Sequence, residues 1–200
     1  TILTTDEIKE LPEVFRAIDK AKVDALIIQD LGVFYLAKKL IGHIELHAST
    51  QMAVHNAEGA KFLKSLGFKR VVLARELTLK EIEEIAREVK DVDLEVFVHG
   101  ALCYSYSGQC LFSALEYGKS ANRGRCVYPC RSEFDVIDEE GKKERRHLFS
   151  MKDMALEELV NKIPALSLKI EGRKKSPLYV ATVVNYYRHI LDGKKKSVNE

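Results

Sequence analysis

The hydrophobic positions of this chain alternate between short strand-like runs and amphipathic helices. Apolar runs begin at Val23, Ile44, Val71 and Leu94, which are 21, 27 and 23 residues apart. Between these runs, apolar residues recur at the spacing of one helix face. A last strand-like run covers residues 165–170. Alternation with this period predicts βα units and a parallel sheet.

Residues that start and stop helices support this pattern. Thr4–Glu7 and Thr78–Glu81 have the form of capping boxes, and Gly67 is placed to end a helix. Ser176–Pro177 combines a capping serine with a proline at the first helical position. Apolar spacing also predicts a helix that opens at Asp153 and runs through Val160.

After Gly100 the periodic pattern breaks. Residues 101–148 are predicted to form a cysteine-rich insertion that ends in a small hairpin. Residues 132–138 supply its first strand, Glu140 and Gly141 its turn, and a basic run from Lys142 follows.

The predicted class is α/β, with residues 1–200 forming one partial (β/α) barrel domain of the TIM type. About five barrel-type strands are present, whereas a closed barrel has eight. The chain also opens on a helix with no strand before it. We therefore expect N-terminal strands to be missing, and an exposed sheet edge that a homo-oligomer could cover.

Composition narrows the function only slightly. The chain is 46% hydrophobic and 31% charged, with a net charge of +2, which is typical of a globular protein and selects no partner. No apolar run is long enough to span a membrane, and the first residues do not resemble a signal peptide. A cytoplasmic location is the expectation.

The four cysteines all lie in one segment of the insertion. Cys103, Cys110, Cys126 and Cys130 are separated by six, fifteen and three residues. In a reducing compartment such clusters bind metal more often than they form disulfides, so two disulfides or four inert thiols are less favoured. Four thiolates could hold zinc or an iron–sulfur cluster. The irregular spacing, without a CxxC pair, favours the cluster.

Polar residues gather where the predicted strands end, and these ends share one face in a parallel barrel. Strand ends are often exposed to solvent, which would explain any single polar residue there. The combination of His, Arg and carboxylate side chains at several strand ends favours an active site. Glu45, two residues before His47, should face the same side, as a catalytic residue or in a core salt bridge. The remaining strand-end candidates are Gln29, Asp30, His47, Ser49, Gln51, Arg75, Glu76, His99, Glu171 and Arg173.

Basic and aromatic residues surround the cysteines. This composition is typical of RNA-binding surfaces, although the arginines would equally balance the charge of a thiolate-bound cluster. The residues are Arg123, Arg125, Arg131, Tyr104, Tyr106, Tyr117 and Tyr128.

Several segments together resemble the signature of the collagenase-like peptidase family, peptidase class U, number thirty-two. They are residues 95–103 (EVFVHGALC), 107–110 (SGQC), 47–51 (HASTQ), 72–76 (VLARE), 122–126 (NRGRC), 168–173 (LKIEGR) and 176–177. The resemblance covers nearly the whole chain. Family members begin roughly three strands earlier, which agrees with the expected truncation.

The resemblance implies two activities. The family was named for proteolysis, while other members are iron–sulfur proteins that hydroxylate a tRNA or rRNA base without molecular oxygen, or serve ubiquinone hydroxylation. In those members four matching cysteines hold the cluster, which implies ligand roles, in a 4Fe–4S cluster, for Cys103, Cys110, Cys126 and Cys130.

Our first hypothesis is therefore an RNA hydroxylase. Its catalytic pocket is expected to use His47, Arg75, Glu95, His99, Glu171 and Arg173, with an arginine pairing with a small carboxylate oxygen donor. The alternative is a peptidase acting on a collagen-like or peptide substrate. The sequence contains neither a Ser-His-Asp set nor an HExxH helix to support it. A third, non-enzymatic alternative is an assembly partner that uses the open barrel edge.

Overall fold

The computed structural model describes residues 1–172 and 175–194, and it is built around a parallel sheet with helices on one face. The helices are α1 (Thr5–Lys20), α2 (Leu31–Leu40), α3 (Ala57–Leu66), α4 (Leu79–Glu88), α5 (Phe112–Tyr117) and α6 (Pro177–Leu191). The strands are β1 (Ala25–Ile28), β2 (Glu45–Ala48), β3 (Arg70–Val72), β4 (Asp93–Gly100), β5 (Phe134–Ile137), β6 (Lys143–Arg146), β7 (Met154–Ala155) and β8 (Ser167–Ile170).

The parallel sheet predicted from the hydrophobic period is confirmed. Strands β1, β2, β3, β4 and β8 pair in parallel in that order. Strand β7 joins antiparallel at the end of β4. The sheet curls into half of a barrel. Since the strands run the same way, their carboxyl ends meet along one edge, where ligand sites of such sheets are found.

The two faces of the sheet differ in chemistry because neighbouring side chains on a strand point to opposite faces. Leu46, Val71 and Leu94 belong to the main hydrophobic core, which packs beneath the helices. The register places the other set on the open face, where His47 lies beside Arg70. One face of the sheet therefore builds the core, and the other carries charged residues.

The predicted helix boundaries are confirmed where they rest on capping. Both capping boxes form, with the Thr4 and Thr78 hydroxyls accepting from the backbone N–H groups of Glu7 and Glu81. Gly67 ends α3 at φ +110°, a left-handed value that favours glycine. Ser176 caps α6 through the N–H of Tyr179.

The helix predicted from Asp153 through Val160 is wrong. This stretch begins with β7, pairs with the end of β4, and continues into a short 3₁₀ turn, Val160–Lys162. The Leu156 N–H donates to the carbonyl of Val98 at 3.0 Å. Pairing with a distant strand therefore outweighs a helical hydrophobic period in a segment this short.

Between β4 and β7 the chain leaves the main sheet. Strands β5 and β6 form the predicted hairpin, with Phe134 opposite Arg146. Its basic strand is partly neutralised by acidic neighbours, since Arg145 contacts Asp135 at 3.3 Å and Arg146 contacts Glu144 at 2.5 Å. The hairpin is therefore a mixed-charge element rather than a basic one.

The margins of the sheet carry exposed apolar side chains. Within residues 1–172 and 175–194, β1 pairs with β2 alone and β8 with β4 alone. Ile27 on β1 is 54% exposed and Leu166, just before β8, is 71% exposed. The expected exposed sheet edge is present, and both margins of the sheet are open among the described residues.

None of the helices among the described residues combines the length and the apolar character needed to cross a membrane.

Candidate functional site

All four cysteines line one cavity of about 650 Å³ beyond the carboxyl ends of the strands. Gln51, Arg75 and Glu171, which follow β2, β3 and β8, line the same cavity. The structure therefore brings the cysteine segment together with three of the polar strand-end residues named from the sequence.

The thiols of this cavity are close enough to influence one another electrostatically. Burial raises the pKa of Cys130, and the charges of Cys103, Cys126 and Cys110 raise it further, while Arg131 opposes them. All four cysteines are free rather than disulfide-bonded. The Tyr128 N–H donates to the Cys126 sulfur at 3.3 Å.

The donor set suits several metals, but the side chains are not drawn together around one point. Among the described residues, no three His, Cys, Asp or Glu side chains are grouped so that they could hold a metal ion. A single zinc ion needs each sulfur at about 2.3 Å, whereas a polynuclear cluster fills the space between its cysteines. In this structure the four sulfurs share one cavity but are not grouped around a single ion among the described residues.

The first half of the cysteine segment is fastened to the end of β3. Glu76 accepts hydrogen bonds from the Ser107 N–H and, at 2.9 Å, from the Ser107 hydroxyl. The Glu76 carboxylate also lies 3.3 Å from His55 Nε2. Burial raises the pKa of Glu76, but the Ser107 hydrogen bonds and the charge of His55 lower it below its ordinary value. The carboxylate therefore stays ionised where it holds the loop.

The second half of the segment is fastened to α1. Arg123 Nη2 contacts the Glu7 carboxylate at 2.6 Å, and the Ile2 N–H donates to the carbonyl of Asn122 at 3.1 Å. The same Glu7 carboxylate closes the capping box of α1. The start of the chain and the cysteine segment thus share a polar contact.

Glu171 reaches the cavity because the end of β4 passes very close to the residue after β8. The Glu171 N–H donates to the carbonyl of His99 at 2.8 Å. Gly100 has φ +110°, and a Cβ there would lie 2.6 Å from the Glu171 carbonyl oxygen. Only glycine fits both the backbone conformation and the spacing.

Arg75 is held over an aromatic ring rather than by a carboxylate. Its guanidinium lies 4.8 Å from the centre of the Phe97 ring, and Lys169 approaches the same ring at 5.5 Å. Arg75 makes no ion pair with any residue that the structure describes. Its charge is therefore available to an anion in the cavity.

Glu95 lies deeper on the open face of the sheet and outside the cavity lining. Lys169 Nζ and the Ser167 hydroxyl each donate to its carboxylate at 2.7 Å, and Arg70 approaches at 3.5 Å. Burial raises the pKa of Glu95, but the hydrogen bonds from Lys169 and Ser167 and the charges of Lys169 and Arg70 lower it below its ordinary value.

The two histidines expected in the pocket lie elsewhere. His47 is buried on β2 and contacts Glu45 at 3.3 Å, on the same face as Glu95. His99 turns toward α6, where its Nδ1 lies 3.3 Å from the Tyr187 hydroxyl. A register shift between Phe97 and His99 accompanies this turn, as a β-bulge re-aims a side chain. Arg173 lies outside the described residues.

The arginines expected to bind RNA differ in whether they form an ion pair within the described residues. Arg123 is paired with Glu7, and Arg131 contacts Asp153 at 3.6 Å. Arg125 is exposed and has no ion-pair partner in the described part of the chain. The tyrosines Tyr104, Tyr106, Tyr117 and Tyr128 are at least half exposed.

Three residues important for the site lie in the quoted signature segments, but the sequence assigned them no individual role. Ser107 binds Glu76, Lys169 binds Glu95, and Gly100 admits Glu171. Lys169 could have been found from the sequence. It lies in a strand predicted to be buried, and a buried charge is normally paired with an opposite one. The contacts of Ser107 and Gly100 depend on tertiary approach and left no such signal.

A family model described as "Peptidase family U32" matches residues 1–200. The 23S rRNA 5-hydroxycytidine C2501 synthase of Escherichia coli is 42% identical, over 96% of this chain and 30% of that protein. The tRNA hydroxylation protein P of Helicobacter pylori is 38% identical, over 93% of this chain and 48% of that protein. A collagenase of Porphyromonas gingivalis is 33% identical, over 96% of this chain and 50% of that protein.

A solved structure, that of the U32 peptidase Mk0906, has a similar fold. It superposes with a TM-score of 0.51 at 19% identity and covers 87% of this chain and 65% of that one. The likeness confirms the α/β architecture. The chain spans 30% to 50% of the length of these curated relatives.

Proposed function

This chain belongs to peptidase family U32, and from that premise we propose that it is the cluster-binding part of an enzyme that hydroxylates a base in tRNA or rRNA. The observation that carries the proposal is the convergence of Cys103, Cys110, Cys126 and Cys130 on one cavity. The names of the rRNA and tRNA relatives support the same activity.

The four cysteines would hold a 4Fe–4S cluster, which takes four thiolate ligands. When bound, such a cluster supplies one-electron chemistry that protein side chains cannot provide. The Tyr128 N–H, donating to the Cys126 sulfur, and Arg131, beside Cys130, would stabilise the thiolate charge. Zinc is the alternative occupant of the same sulfurs.

The polar wall of the cavity would orient the reactants. Arg75 offers an unpaired guanidinium to a carboxylate-bearing oxygen donor, and Glu171 lies on the same wall. Arg173 follows two residues later and is proposed to act with them. Glu95 and His47 would support this wall from the open face of the sheet, and His99 from the side of α6.

The exposed surface around the cavity suits RNA. Tyr104 and Tyr128 line the cavity and are exposed, so their rings can stack on unpaired bases. Arg125 is free to contact phosphate. A tRNA or rRNA substrate implies a cytoplasmic protein.

We further propose that the half-barrel belongs to a (β/α) barrel of the TIM type. Its parallel strands have their polar residues at the carboxyl ends, which is the active-site side of such barrels. The open edges at β1 and β8 are where further strands, or a second copy of the chain, would pair.

Anaerobic purification followed by iron, sulfide and zinc analysis tests the proposal. We expect a brown protein with iron and acid-labile sulfide, and Cys→Ser changes at each of the four positions should abolish the colour. Ser105→Ala, which alters another residue of the cavity lining, is the matched control and should keep it. A colourless protein with stoichiometric zinc would contradict the cluster.

The substrate is tested by analysing the nucleosides of tRNA and rRNA from cells with and without the gene. Loss of one hydroxylated base on deletion, restored by the unchanged gene but not by Arg75→Ala, is the expected result. Unchanged nucleosides in both RNA classes would contradict an RNA substrate.

A collagenase-like peptidase is the second candidate, and the collagenase relative favours it. Gelatin cleavage by the unchanged protein and by the Cys103→Ser and His99→Ala variants decides between them. Cleavage lost in either variant would support peptidase chemistry at this site. No cleavage by the unchanged protein, or equal cleavage by all three, would exclude these residues from that chemistry.

A further inference from the structure

We propose that Glu76 is a positioning residue that shapes the loop between Cys103 and Cys110 for binding the metal centre. The inference rests on the proposed function, because it gives the loop between the first two proposed cysteine ligands, Cys103 and Cys110, a support outside the insertion. It concerns a residue that neither lines the cavity nor carries a ligand atom.

The loop is held in a conformation that it would not adopt freely. Ser107 has φ +43°, in the left-handed region that costs a non-glycine residue energy. Its side chain is almost fully buried, with 1% exposed. Glu76 compensates both costs, because its two carboxylate oxygens accept the Ser107 N–H and hydroxyl.

Ser107 controls the direction of both cysteines because it lies between them. Gly108 follows with φ +75°, so two consecutive residues are left-handed and turn the chain back. The turn closes with the Gln109 N–H donating to the Tyr106 carbonyl at 2.8 Å and the Cys110 N–H donating to Gly108 at 3.0 Å. Releasing Ser107 would therefore let Cys103 and Cys110 move apart.

Glu76 is itself fixed from behind. His55 Nδ1 lies 2.8 Å from the Ala53 carbonyl, which can only accept, so Nδ1 carries a proton. The opposite nitrogen, Nε2, lies 3.3 Å from the Glu76 carboxylate, without the geometry of a hydrogen bond. The His55 ring also stacks on Tyr106 at 4.7 Å. The Glu76 carboxylate thus lies between the loop that contains Ser107 and the residues before α3.

Three variants test the positioning role in the full anaerobic protein. Glu76→Ala should release its iron to a chelator about tenfold faster, as expected when a group supporting a metal ligand is lost. Thr78→Ala removes the cap of α4 without touching the loop, and should leave the release rate unchanged. Adding Ser107→Gly to Glu76→Ala should recover much of the retention, because glycine adopts φ +43° without strain.

A second measurement does not depend on the cluster. Hydrogen exchange of amides 104–110 in metal-free protein should be faster in Glu76→Ala than in the unchanged protein, and not faster in Thr78→Ala. Unchanged exchange in Glu76→Ala, or iron release as slow as in the unchanged protein, overturns the inference. An unchanged protein that binds no iron refutes the proposed function, while the exchange experiment still decides the role of Glu76.

Discussion

Single residues on the open face of the sheet are paired rather than displayed to solvent. Glu95 is the centre of this arrangement, since Lys169, Ser167 and Arg70 all converge on its carboxylate. Its place in the family signature predicts a catalytic residue. In the structure its carboxylate accepts hydrogen bonds from Lys169 and Ser167, and Lys169 lies 5.5 Å from the centre of the Phe97 ring.

Glu95 should make the stability of the protein depend on acid pH. Because its pKa is lower in the folded than in the unfolded chain, its contribution is complete above the unfolded value and is lost as the pH falls through the folded value. Glu95→Gln should lower the free energy of unfolding at pH 7 by about 2 kcal/mol, discounted from a fully buried pair because Lys169 is 28% exposed.

Urea unfolding of the unchanged protein and of Glu95→Gln between pH 3 and 7 measures the difference in their free energies of unfolding. The difference in unfolding free energy should shrink below about pH 4.5, where carboxylates become protonated. Glu13→Gln, which breaks an exposed pair with Arg16, is the control and should have little effect. An equal difference at every pH would show that folding does not lower the pKa of Glu95.

Among the elements, β4 links the scaffold to the site. It pairs with β3, β7 and β8, and the cysteine segment begins directly after it. Tyr187 of α6 fastens its end, because the tyrosine hydroxyl donates to the Val98 carbonyl at 3.0 Å and accepts from the Leu156 N–H at 3.2 Å. The site is therefore built on a rigid strand rather than on loops alone.

Helix α1 should stabilise the second half of the cysteine segment. Arg123→Ala removes the 2.6 Å contact with Glu7, and should lower the free energy of opening of residues 119–126. Hydrogen exchange resolved by segment measures this. Exchange at residues 104–110 should stay unchanged, since Glu76 holds that half. Arg16→Ala, on the exposed surface of α1, is the control; an equal effect from it would refute the specific anchor.

The sequence predicts elements well where local signals agree. Apolar runs mark β3 and β4, and Thr78 with Glu81 marks the start of α4. It fails at Met154, where pairing with Gly100 decides the structure. For the site, four cysteines in one segment identify the cavity. The contact of Glu76 with Ser107 joins residues 31 apart and depends on an unusual backbone angle, so no local pattern encodes it.

The whole molecule consists of two parts with unequal packing. The helices and the parallel sheet share one extended hydrophobic core, and most of its buried residues lie before residue 101. The cysteine segment and the β5–β6 hairpin contribute few fully buried side chains. Few buried apolar contacts mean a low free energy of local opening. The insertion should therefore open while the sheet remains folded.

Limited trypsin digestion should show this difference. Without metal, the first cut is expected after Arg125, which is exposed and unpaired within residues 1–172 and 175–194, and the sheet should resist longer. Loading the proposed cluster should slow this cut about tenfold or more, since a ligand that binds only the closed form stabilises it. Mass spectrometry of the fragments identifies the site. First cuts within α1 to α4 would contradict the order.

The close approach of Gly100 to Glu171 has a consequence for synthesis. One side of the cavity is completed by a residue that the ribosome adds about forty positions after the last cysteine. When Cys130 has just left the exit tunnel, all four cysteine thiols are outside the ribosome, but the Glu171 side of the cavity has not yet folded. Insertion of the cluster proposed above would then follow the synthesis of β8, and the delivery machinery would meet a chain in which β8 is already paired with β4.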